Sequence, residues 1–131
     1  SLMGAVTIPE RHSVWKDEDK RILEKANGGV SYFISQCVFN VDYAKEVVAA
    51  LCDTCKKENR PLPTLLFTLT ACGSAKTLAF AEWLGIHIPA GLKNELSAAG
   101  NMLDKSVGVC LDIATELSAF CTKGPYLRVQ Y

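Results

Sequence analysis

Two hydrophobic periods alternate along the chain, and together they predict its layout. Residues 4–8 form a short β-like run ended by Pro9. Residues 17–26 carry acidic side chains in their first turn and are stopped by Gly28 and Gly29, which predicts a helix. The stretch 31–36 is rich in aromatic and β-branched residues and reads as a strand. Across 41–58, Ala44, Val47, Val48, Leu51 and Cys55 share one stripe at helical spacing. A connector over 59–63 with two prolines leads to a buried strand over 64–69. A turn over 71–74 precedes a helix over 75–84 that Gly85 ends. A short helix is expected around 92–97. Leu103, Val107, Cys110, Ala114, Leu117 and Cys121 then recur at steps of four, three, four, three and four, the mark of an amphipathic helix. Gly124 and Pro125 break it, and 126–131 is expected to close the chain as a strand.

Strands separated by helices imply an α/β fold with parallel pairing and right-handed crossovers. Two architectures fit: a small open sheet, or half of a (β/α)8 TIM barrel. A complete barrel takes about 250 residues, and this chain has 131. No Gly-rich dinucleotide fingerprint follows a strand, so a Rossmann domain gains no support.

Composition narrows the picture. About half of the residues are apolar (49%), enough for a single domain, 1–131, with a core. Ser1 and Leu2 precede Met3 and are expected to add nothing to the fold. Fourteen basic and fourteen acidic side chains cancel, so no general nucleic-acid or membrane surface is expected. Apolar runs are short, no signal peptide is visible, and no segment approaches the ~20 residues of a membrane helix. A cytoplasmic location is expected. The six cysteines then read as free, mostly buried thiols in a reducing compartment rather than as a disulfide framework.

In parallel α/β folds ligands meet the carboxyl ends of the strands. The segments there are Pro9-Glu10-Arg11-His12, Gln36-Cys37 and Thr70-Ala71-Cys72-Gly73-Ser74. Arg11 suits a phosphate or carboxylate and His12 a cofactor, although a solvated turn with a Glu–Arg pair explains them equally well. The Gln36 amide offers both a donor and an acceptor, which suits a pterin edge; the alternative is a polar residue marking the exit from the core. Ser74 is a natural N-cap, and the helix start behind it favours anions. Cys52 and Cys55 form Cys-x-x-Cys inside a helix, without the second pair a structural zinc site needs, so core packing is preferred. His87, Trp15 and Trp83 read as structural by default.

Val-Thr-Ile-Pro-Glu-Arg-His at 6–12, Tyr-Phe-Ile-Ser-Gln at 32–36, and the 66–96 stretch with Cys72-Gly73-Ser74, Trp83-Leu84-Gly85 and Ile88-Pro89 resemble the methylenetetrahydrofolate reductase superfamily. The last stretch is similar to an uncharacterised branch of it. The resemblance implies a flavin-dependent barrel that converts 5,10-methylene- to 5-methyltetrahydrofolate with reduced FAD. It places Ile8, His12 and Lys25 against FAD and Gln36 against the folate. Glu10, Cys72, Ser74 and Ala75 complete the implied folate contacts, with Ala75 at the family's folate-stacking Phe.

The departures are equally informative. The family's catalytic Glu, and its Asp near the flavin, lie on strands earlier than any found here. The usual Pro-Gly after the third strand is Phe67-Thr68. The expectation is a folate-binding C-terminal half-barrel, incomplete for flavin redox catalysis by itself. It would be closed by an N-terminal half-barrel or by self-association through open strand edges near Val6 and Val129. The alternatives are half of an FAD-dependent reductase and a non-catalytic fragment that self-associates.

Overall fold

β-branched and aromatic runs become strands, and the helical stripes become the layer that covers them. The structure, a computed structural model, describes residues 2–9, 12 and 15–123. Three strands form a parallel sheet in the order β1 (Gly4–Thr7), β2 (Tyr32–Cys37), β3 (Thr64–Thr68). Between them run α1 (Glu18–Asn27) and α2 (Val41–Lys57); after β3 come α3 (Ala75–Trp83), α4 (Ala90–Ala98) and α5 (Met102–Lys123). The α/β alternation and parallel pairing agree with the sequence pattern. The strand expected over 126–131, and with it the edge near Val129, lies outside the described residues.

The buried core lies on one face of the sheet. Ile22 and Leu23 of α1, Phe33 of β2, and Val47, Leu51 and Cys55 of α2 form its centre. Val48 and Cys52 of α2 meet Cys121 of α5 beside Leu65 and Phe67 of β3. Thus α1, α2 and α5 cover the same side, the one to which Phe33, Leu65 and Phe67 point. Every residue of the predicted α2 stripe is buried. Gly29 ends α1 with φ 107, a conformation that costs other residues strain.

Among the described residues, no element covers the opposite face. Strand alternation sends Val6, Ile34 and Leu66 there, and the register aligns them in one row across all three strands. Their exposures are 56%, 41% and 39%, high for the middle of a parallel sheet, which normally buries both faces. In the next row Tyr32 lies over Gly4 so closely that any Cβ at Gly4 would collide with its ring.

One helix keeps only part of its predicted face. In α5 the buried positions are Ser106, Ile113, Leu117 and Cys121, whereas Leu103 and Val107, the start of the expected stripe, are exposed together with Leu111. Leu117 and Cys121 of the expected stripe are buried as predicted, and Ile113 joins them because it and Leu117 meet Val38 and Ala44. None of the helices, among the described residues, is long and apolar enough to cross a membrane.

Candidate functional site

Parallel strands deliver their carboxyl ends to one edge. Here that edge gathers Ile8 after β1, Gln36 and Cys37 at the end of β2, and the 69–74 segment after β3. The Cys37 Sγ and Thr70 Oγ1 lie 3.0 Å apart and join the last two. Glu10, like Arg11, falls outside the described residues, so its expected place in the site has no structural description.

Beneath the β1 end is a buried polar hub. Thr7 donates its hydroxyl to Glu18 Oε1 at 2.8 Å, and the Ile8 N–H donates to the same oxygen at 3.2 Å. The Glu18 N–H donates to His12 Nδ1 at 3.3 Å. His12 therefore does what the N-cap Asp17 does not, since the Asp17 side chain makes no capping bond. With Nδ1 accepting, the ring proton belongs on Nε2. Asp19 lies 3.9 Å from the same Nδ1 and accepts from Thr54 Oγ1 at 2.7 Å, which ties the hub to α2. Thr7, His12, Glu18 and Asp19 are all buried.

Those bonds define what the expected cofactor residues do in this chain. His12 is buried and its Nδ1 serves the start of α1. Lys25 places its Nζ 3.5 Å from the Val6 carbonyl, on β1, the edge strand among the described residues. Ile8 is half-buried. Among the described residues, His12 and Lys25 are thus engaged by the chain itself.

The expected folate residues divide into two groups. Gln36 is half-buried at the tip of β2, and among the described residues its amide meets no hydrogen-bond partner. Ser74 is exposed and accepts from the Thr77 N–H at 3.2 Å, capping α3, while Ala75 is the exposed first residue of that helix. Cys72 is different. Its side chain lies in a core cluster with Phe39, Leu78, Ile88 and Leu96, and its N–H donates to the buried Ser106 Oγ at 2.7 Å. Burial pushes the Cys72 thiol up from its ordinary pKa, with Cys37 and Cys110 adding to the effect. A buried, protonated thiol is a poor nucleophile and presents nothing to the rim. What this turn offers a ligand is its backbone and the Ser74 end.

The Cys-x-x-Cys pair is core material. Cys52 and Cys55 are both buried, and among the described residues no group of three or more His, Cys, Asp or Glu is arranged to hold a metal. The sequence pattern also missed residues that shape the site. Thr7, Glu18 and Asp19 of the hub were legible only as a strand end and a favourable first turn. Ser35, buried beside Gln36, carried one available signal: it shares strand parity with the core residue Phe33.

A solved structure resembles this one closely. It is that of an uncharacterised protein from Clostridium thermocellum that binds two copies of 5-methyl-5,6,7,8-tetrahydrofolic acid. The two chains are 45% identical, with a TM-score of 0.86 over 93% of this chain. This chain spans 43% of that one. No family model matches the sequence, and no curated protein matches it.

Proposed function

We propose that the chain is a methylenetetrahydrofolate-reductase-like, folate-binding part of a (β/α)8 barrel. It holds 5-methyl- or 5,10-methylenetetrahydrofolate at the carboxyl ends of its strands. The observation that carries this reading is the folate-binding neighbour, whose identity and TM-score extend over nearly all of this chain. Gln36 is the central contact, since a neutral amide with free donor and acceptor groups pairs with a pterin without introducing charge. Ser74, Ala75, the backbone of the Cys72 turn and Glu10 complete the proposed set of folate contacts. The proposed role is binding of the folate, without FAD.

The barrel part of the reading draws on the exposed face of the sheet. Helices on one side and an apolar row on the other suit the wall of a barrel, whose inward side chains pack against those of the remaining strands. The neighbour, more than twice as long as the stretch it shares with this chain, has the length for those strands.

Isothermal titration calorimetry with 5-methyltetrahydrofolate and with FAD, in turn, tests the proposal. Heat is expected with the folate and none with FAD. Gln36→Ala is expected to weaken folate binding roughly tenfold, the scale of one or two neutral hydrogen bonds. A chain that gives no heat with the folate overturns the reading.

A further inference from the structure

We propose that Ser35 is a positioning residue for Gln36, an inference that rests on the folate reading of Gln36. The ladder between β2 and β3 is regular as far as Ile34 opposite Leu66, but Thr68 pairs with Cys37 rather than with Gln36. Three steps along β2 therefore answer two along β3. Such a bulge re-aims the residues within it, and Ser35 and Gln36 are the two residues it contains.

A bulge also leaves ladder groups without their usual partners. Here the Ser35 hydroxyl, buried at 4% exposure, replaces what is lost. It accepts from the Thr68 N–H at 3.0 Å and donates to the Gln36 carbonyl at 2.8 Å. One hydroxyl supplies both functions because it has one donor hydrogen and two lone pairs. The Val38 N–H then resumes pairing, donating to the Thr68 carbonyl at 2.9 Å. The peptide of Gln36 is thus held to β3 through its neighbour's side chain, while its own amide is left for a ligand. Alanine at 35 would strand the Thr68 N–H and release the Gln36 carbonyl, leaving the amide to sample other directions.

The test is a double-mutant cycle in the full chain, read by calorimetric titration with 5-methyltetrahydrofolate. Ser35→Ala is expected to weaken binding roughly tenfold. Ser35→Thr, which keeps the hydroxyl, is expected to restore most of that loss. In a Gln36→Ala background Ser35→Ala should add no further loss, because a residue that acts through Gln36 has nothing left to position. Thermal melts report the structural cost separately. Ser35→Cys, similar in shape but a weak hydrogen-bonding group, repeats the comparison if Ser35→Ala does not fold. Equal losses in both backgrounds, or full affinity in Ser35→Ala, overturn the positioning role and leave the folate reading standing. A wild-type chain without folate heat overturns the folate reading, and the role of Ser35 falls with it.

Discussion

Cys52 shows what burial does to a single side chain. Its thiol is pushed up to about 11, first by burial and then by Cys121, Cys55 and Asp53. Well below pH 9.0 the thiol is protonated in the folded and unfolded chains alike. Above that value the unfolded chain loses the proton first and the folded chain retains it, so stability falls between about pH 9 and 11. The loss is on the order of 2 kcal/mol for this group, and Cys55 and Cys121, raised by burial in the same direction, add to it. Urea melts across that window should show the decline, and Cys52→Ala should flatten part of it. A midpoint that does not move with pH would contradict the burial of this thiol. The cysteine reading was legible because Cys52 and Cys55 lie inside an apolar helix. The polar hub was not. Acidic residues in a first turn suit the helix dipole whether or not they are buried, so nothing in 17–19 announced that Glu18 would accept from Thr7 across eleven residues. The bond from the start of α1 to His12 Nδ1 was equally invisible, because it joins residues from two different segments.

Elements were more legible than residues, up to the point where a neighbour had to choose a face. α2 has one apolar stripe, and that stripe is buried. In α5 the predicted stripe holds at Leu117 and Cys121 but not at Leu103 and Val107, and contact with Val38 and Ala44 brings Ile113 to the buried side beside Leu117. The α3 boundary was clear because Ser74 is a capping residue by type. Its Oγ accepts from the Thr77 N–H, so Ser74→Ala should lower stability by about 1 kcal/mol, read as a shifted denaturant midpoint. Ser74→Asp should retain most of the loss's counterpart, since aspartate caps comparably. If Ser74→Ala left the midpoint unchanged, the cap would contribute nothing and the start of α3 would be fixed by the Cys72–Ser106 bond. The bulge in β2 lay beyond the sequence pattern, because an extra residue in a ladder depends on the partner strand as much as on the strand itself.

At the scale of the whole molecule the unbalanced sheet is the dominant feature. Val6, Ile34 and Leu66 form an exposed apolar row on the side away from the helices, and among the described residues β1 is an edge strand whose Val6 carbonyl is met by Lys25. A lysine at an edge opposes pairing with another strand, but one ammonium group does not cover the row beside it. Exposed apolar surface of this kind drives association. The 131-residue chain studied on its own is therefore expected to self-associate, with a light-scattering mass above that of one chain. Ile34→Lys places a charge in the centre of the row and should shift the population toward single chains, whereas Lys20→Ala, on the exposed side of α1, should not. If further β/α units cover the row in a longer protein, adding them should suppress self-association as Ile34→Lys does, and Ile34→Lys in that protein should instead cost stability, because the charge would then be buried. A 131-residue chain that stays monomeric at high concentration would show that the row needs no cover, and would remove the support it gives to a barrel wall.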